Sequence, residues 1–142
     1  MKPSKLPELS QAIQNLYYQA LKARERSYSP YSGYKVGSAI LLENGKVFAG
    51  CNIENSSFGA TVCAERVAIQ KAISEEGTIP ISIVMVITDA SPPWPPCGIC
   101  RQVLAEFGPN AVVYLANLKG DIEYGELSEI YPHAFTSGNM GP

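Results

Sequence analysis

The chain has 142 residues, 46% hydrophobic and only 17% charged, with 11 Lys and Arg against 13 Asp and Glu and a net charge of −2. This composition describes one folded domain over residues 1–142 with a substantial core, and it excludes an intrinsically disordered segment and a charged coiled coil. Without a basic excess the chain lacks what binding a phosphate backbone requires, so nucleic acid is not an expected partner.

Apolar positions at Leu9, Ile13, Leu16, Tyr17, Ala20 and Leu21 predict a first helix over residues 7–25. Two strands over 35–42 and 46–53 follow, joined through Asn44-Gly45 as a hairpin. After a polar loop, Thr61 is placed to cap a helix that stops at Gly77. Ile81–Thr88 is an almost unbroken apolar, β-branched run, the pattern of a central strand covered on both faces. The proline-rich Ser91–Pro96 ends it, and Pro96 opens a helix over Cys97–Phe107 closed by Gly108-Pro109. Ala111–Ala116 completes a strand, helix, strand unit, which puts it parallel to residues 81–88. Leu118–Tyr124 adds an edge strand, Leu127–Tyr131 a short helix, and residues 137–142 a loose tail. The expected fold class is α/β, with a mixed sheet of five strands.

The longest apolar runs are of strand length, far below the ~18–20 residues that cross a bilayer, so no membrane partner is expected. Met1–Lys5 leads directly into the amphipathic helix without the apolar stretch of a secretory signal, which predicts a cytoplasmic location. In a reducing compartment the four cysteines are expected as metal ligands or catalytic thiols rather than disulfides.

Three of them carry the informative pattern. Cys63-Ala64-Glu65 opens one helix, and Pro96-Cys97-Gly98-Ile99-Cys100 opens another directly after a central strand. Cys97 and Cys100 share one face of a first helical turn, and Cys63 completes a trio from the neighbouring helix. Three protein ligands leave one tetrahedral position of Zn²⁺ open, and an open position lowers the pKa of the water it holds, so the spacing predicts a hydrolytic site. Glu65 is placed to shuttle protons rather than to ligate, and Arg66 offsets the charge of three thiolates by donating to sulfur. Cys51 reads as an ordinary buried cysteine in a strand and His133 as an exposed turn residue.

With Pro30-Tyr31-Ser32-Gly33-Tyr34-Lys35-Val36-Gly37 and Gly50-Cys51-Asn52-Ile53-Glu54-Asn55 added to these two motifs, the sequence resembles the short, homotetrameric zinc-dependent cytidine deaminases that act on free nucleosides. The resemblance implies a three-layer α/β/α fold and hydrolysis of cytidine and deoxycytidine at C4 with loss of ammonia. It implies that Cys63, Cys97 and Cys100 bind zinc and that Glu65 delivers protons to N3 and to the departing amino group. It further implies that Asn52 and Glu54 hold the ribose hydroxyls, that Tyr34 stands where the family places a phenylalanine against the pyrimidine, and that the Ala64 N–H holds O2. The carbonyl of Pro95 would receive the amino group, and Phe135 would reach a neighbouring subunit's site. Trp94, Pro95, Phe58 and Ile130-Tyr131-Pro132 depart from the family's pattern.

Three other readings stay open on sequence grounds. Trp94-Pro95-Pro96-Cys97-Gly98-Ile99-Cys100 superficially resembles a thiol–disulfide oxidoreductase motif, although that reading leaves Cys63-Ala64-Glu65 unused. A zinc-stabilised binding module would need the cysteines but not Glu65. An altered substrate, such as a nucleoside antibiotic, would keep the fold and the zinc site.

Overall fold

The computed structural model describes residues 1–141. Six strands, β1 (Lys2–Lys5), β2 (Gly37–Leu42), β3 (Val47–Cys51), β4 (Ile81–Thr88), β5 (Val112–Asn117) and β6 (Asp121–Glu126), form one mixed sheet in the order β1-β6-β5-β4-β2-β3. The helices are α1 (Gln11–Arg24), α2 (Ala64–Glu76), α3 (Gly98–Phe107) and the single turn α4 (Leu127–Ile130). β4 and β5 pair in parallel across α3, and every other neighbouring pair is antiparallel.

The alternation of side chains along β4 makes three layers. Val84 and Val86 face a core with Ala68, Ile69 and Ala72 of α2 and Leu104 of α3. Met85 and Ile87 face the other way, into a core with Ile13, Leu16, Tyr17 and Ala20 of α1. The helices therefore lie on both faces of the sheet, the α/β/α arrangement expected from the sequence.

The sheet corrects the expected five strands to six. Lys2–Lys5 pairs antiparallel with β6, from Lys2 opposite Tyr124 to Lys5 opposite Asp121. Its side chains are mostly exposed and it contains Pro3, so neither hydrophobic alternation nor β-propensity marks it as a strand. Backbone pairing, an ion pair between Lys5 and Asp121, and a 3.1 Å contact of the Met1 amino group with Glu129 hold it in place.

Three helix starts also move. α1 begins at Gln11 because the Ser10 hydroxyl caps it, accepting from the Ile13 N–H at 3.4 Å, while Leu6–Glu8 forms a separate 3₁₀ turn. α2 begins at Ala64 with Cys63 as its N-cap rather than Thr61, because Val62 is held extended by a bridge to Ile53. α3 likewise takes Cys97 as its N-cap. β6 starts three residues later than expected, after a turn in which Gly120 has a φ of +82°. Ser137–Met140 forms a 3₁₀ turn closed by Thr136 and Asn139, and Pro142, the last residue of the expected tail, lies outside the described residues.

Two glycines set how closely helices approach the sheet. A Cβ on Gly37 would run into the carbonyl of Ala20 in α1, and one on Gly50 would sit 2.7 Å from the N of Ala68 and 2.8 Å from the carbonyl of Ala64 in α2. The start of β2 and the ends of β3 and β4 meet at one end of the sheet, with Gly37 opposite both Cys51 and Ile87. Close packing on Gly50 fixes the N-terminus of α2 at that end.

Candidate active site

The first turns of α2 and α3 bring three thiols together. The Sγ atoms of Cys63, Cys97 and Cys100 all lie within 4.8 Å of one another, with Cys63 and Cys97 3.7 Å apart. Cys63 and Cys97 occupy N-cap positions, so their sulfurs sit where each helix presents unpaired N–H groups and positive dipole. Arg66, one turn into α2, donates from Nη2 to the Cys63 sulfur at 3.4 Å.

These contacts separate the thiols electrostatically. Hydrogen bonding to Cys100 first, with further help from Arg66 and Cys97, pulls the Cys63 thiol down to about 5 against the opposing effect of burial. Cys100 is fully buried, and its hydrogen bond to Cys63, its burial and the nearby Glu65 push its thiol well above the ordinary range. Three convergent sulfurs, one already favoured as thiolate, form a donor set that suits Zn²⁺ with one position left open.

Glu65 follows Cys63 by two residues and is only 3% exposed. Burial, reinforced by the Cys63 charge, raises its carboxyl to about 7, with its own backbone N–H, Cys100 and Arg66 opposing. A buried carboxyl poised near neutrality beside a thiolate cluster is suited to accepting and returning a proton.

Cys63, Ala64, Glu65 and Cys97 line a pocket of about 250 Å³ together with Tyr34, Asn52, Glu54, Trp94 and Pro95. The structure thus gathers most of the predicted site residues around one cavity. Cys100 stands behind it within the thiol cluster, and Arg66 reaches the site through Cys63. Phe135 is the exception: it is exposed and lies outside the pocket, its carbonyl accepting from Gln102 Nε2 at 2.8 Å. Cys51 is half-buried outside this pocket, and His133 is exposed in a turn with a φ of +54°.

Asn52 and Glu54 have structural duties that sequence reasoning missed. The Asn52 carbonyl oxygen accepts from the Ser27 hydroxyl and from the Val36 N–H at 3.0 Å, while its amide donates to the Tyr34 carbonyl at 2.8 Å. One amide hydrogen remains for a ligand. Glu54 accepts from the N–H groups of Tyr31 and Ser32, at 2.9 and 3.0 Å, and from the Ser32 hydroxyl. The Ser32 hydroxyl, aided by those N–H groups, holds its carboxyl below the usual range. Ser32, Val36, Thr61, Val86 and Thr88 also line the pocket. Only Ser32 and Val36 of these lie in a motif singled out in the sequence.

The profile described as "Cytidine and deoxycytidylate deaminase zinc-binding region" matches residues 10–116, which include the whole thiol cluster. The chain belongs to this family. Over 128 residues it is 49% identical to the cytidine deaminase of Halalkalibacterium halodurans, an alignment covering 89% of this chain and 96% of that protein. It is 45% identical over 129 residues to the cytidine deaminase of Sporosarcina psychrophila, covering 90% and 94%. Its fold is similar to the crystal structure of cytidine deaminase from Burkholderia pseudomallei, with a TM-score of 0.83 and 39% identity, covering 89% of this chain and all of that one. Family membership gives the Cys63, Cys97 and Cys100 cluster its reading as the zinc site of a zinc-binding deaminase fold.

Proposed function

We infer that the protein is a zinc-dependent hydrolase that deaminates cytidine and deoxycytidine to uridine and deoxyuridine in pyrimidine salvage. The observation that carries this reading is the buried Glu65 carboxyl lining the same pocket as the three-thiol cluster. A redox pair has no use for a third thiol held by Arg66, and a binding module has no use for a buried, raised carboxyl.

Cys63, Cys97 and Cys100 would hold the zinc. Bound zinc supplies the Lewis acidity that makes a nucleophile from water near neutral pH. Glu65 would accept one proton of the attacking water and pass it to N3 of cytosine, then relay the second, taken from the new C4 hydroxyl, to the amino group as the C4–N bond breaks and ammonia leaves. The Ala64 N–H donates to O2, and the Pro95 carbonyl accepts from the amino group, so the ring is held at both ends of its polar edge. Tyr34 packs against the pyrimidine. Glu54 and the free amide hydrogen of Asn52 take the sugar hydroxyls. Arg66 stabilises the charge on Cys63 and so tempers the net −1 of a three-thiolate zinc site.

The working unit is a homotetramer in the cytosol, with Phe135 reaching a neighbouring subunit's site and no nucleic-acid or membrane partner. No helix among the described residues is long and apolar enough to cross a membrane.

The test is the ultraviolet difference spectrum of cytidine with zinc-loaded protein beside its Glu65→Ala variant. Conversion to uridine by the wild type is expected, with turnover falling at least ~100-fold in the variant while zinc content is unchanged. Equal activity in both proteins would remove Glu65 from the mechanism, and no conversion by the wild type would remove the substrate.

A further inference from the structure

Trp94 is the only tryptophan in the chain, and the reaction as written gives it nothing to do. It sits between Pro93 and Pro95, so its backbone is confined to extended conformations. The ring packs edge-on against Tyr34, with centroids 5.0 Å apart and planes at 74°. Tyr34, Thr88 and Trp94 line the catalytic pocket, and the same three residues line a second chamber of about 290 Å³. That chamber is completed by Arg24, Gly33, Lys35, Asp89 and Ala90, none of which borders the catalytic pocket.

We propose that Trp94, seated on Tyr34, is the specificity-determining wall of the substrate pocket, and that it excludes cytosine nucleosides bearing bulky substituents at C5. The inference rests on the deaminase reading. In that reading O2, N3 and the amino group are engaged by Ala64, Glu65 and Pro95, which leaves the C5–C6 edge facing away from the start of α2. The lining available to this edge includes the apolar or weakly polar Tyr34, Val36, Val86, Thr88 and Trp94, alongside Ser32, Thr61 and Pro96. Tyr34, Thr88 and Trp94 are shared with the second chamber. The space that a C5 substituent would need exists, and it lies on the other side of the aromatic pair. Shortening Trp94 is expected to join the two cavities, whereas phenylalanine is expected to keep most of the partition.

The experiment compares kcat/KM for cytidine and 5-propynylcytidine in the wild type, Trp94→Ala and Trp94→Phe. The ratio of the propynyl substrate to cytidine is expected to rise about tenfold or more in Trp94→Ala, since even one methylene in a fitted pocket is worth roughly 10-fold or more, and to change little in Trp94→Phe. An unchanged ratio in Trp94→Ala, whatever the overall loss of rate, overturns the proposal. Because there is one tryptophan, wild-type fluorescence gives an independent reading that needs no variant to fold and no turnover. Saturable change in emission on adding cytidine or uridine is expected, and a flat titration at concentrations that saturate turnover overturns the placement of Trp94. Emission that responds while cytidine is left unconverted would sink the deaminase reading and keep Trp94 as a wall of the ligand pocket.

Discussion

Glu54 shows how one carboxylate serves two ends. Its three hydrogen bonds to Tyr31 and Ser32 fasten the loop that carries Tyr34, and one acceptor position is left to face the pocket. Those donors lower its pKa, so its contribution to stability is complete above the ordinary carboxylate pKa of roughly 4 and is lost as pH falls through the lower, folded value. Glu54→Gln is therefore expected to lower the melting temperature by a constant amount from pH 5 to 7, with the difference shrinking below pH 4. Thermal melts across that range check the sign; a gap that widens toward acid would show that Glu54 is not held as the anion. At neutral pH the variant is also expected to raise KM for cytidine by more than it lowers kcat, because in the proposed pose the remaining acceptor of Glu54 takes a sugar hydroxyl. Cys63, Glu65, Cys97, Cys100, Asn52 and Glu54 were legible in the sequence as a candidate set, and the fold brings them to one thiol cluster and the pocket beside it. The double duty of Asn52 and Glu54 was not, since their loop partners Ser27, Tyr34 and Val36, or Tyr31 and Ser32, lie 16–25 residues away in sequence.

Elements position these residues through backbone approach more than through side-chain contact. Gly50 on β3 lies against the first turns of α2, where Ala64 is both helix start and proposed O2 ligand. Gly50→Ala would force its methyl between the Ala64 carbonyl and the Ala68 N, both backbone atoms that cannot rotate away. A cost of about 1–3 kcal/mol is expected from overpacking, together with weaker zinc retention as the α2 N-terminus lifts from that of α3. Denaturant titration and metal analysis measure the two effects, and Gly59→Ala, where an added Cβ meets nothing within 4 Å, serves as the control. If the two variants behave alike, close packing on Gly50 does not hold the site. The same dependence on tertiary contact explains which elements were legible. β4 announced itself by an unbroken apolar run that fits burial on both faces, and α3 by Pro96 at its start and Gly108-Pro109 at its end. β1 did not, because pairing with β6 alone makes it a strand; the start of α2 shifted from Thr61 to Cys63 because of a bridge to Ile53 that no local propensity encodes.

At the scale of the whole molecule, exposed apolar side chains occur in several places, and one group of them borders the site. Phe58 is 72% exposed and packs edge-on to Tyr31 at 5.6 Å, in a surface pocket shared with Ser32, Glu54 and Thr61 of the catalytic cavity. Ile99, between two of the thiol ligands, and Phe135, tethered by Gln102, are also more than half exposed. Single exposed apolar residues are ordinary, but aromatic rings gathered beside a catalytic pocket in a sparsely charged chain are what an interface core requires. A closed assembly would bury them and shield the pocket from water at once, and in a symmetric one each copy does this for another. The expected outcome is a tetramer by light scattering at micromolar concentration in the wild type. Phe58→Asp should shift the mass toward dimer or monomer and reduce turnover at least tenfold, because a desolvated charge in an interface costs several kcal/mol. Zinc content should stay at one ion per chain, since all three thiol ligands come from the same chain. Loss of assembly with full activity would mean that each chain completes its own site and that Phe135 has no catalytic partner across the interface. Unchanged mass in Phe58→Asp would place the interface elsewhere and leave the Tyr31–Phe58 pair as part of the pocket's own rim.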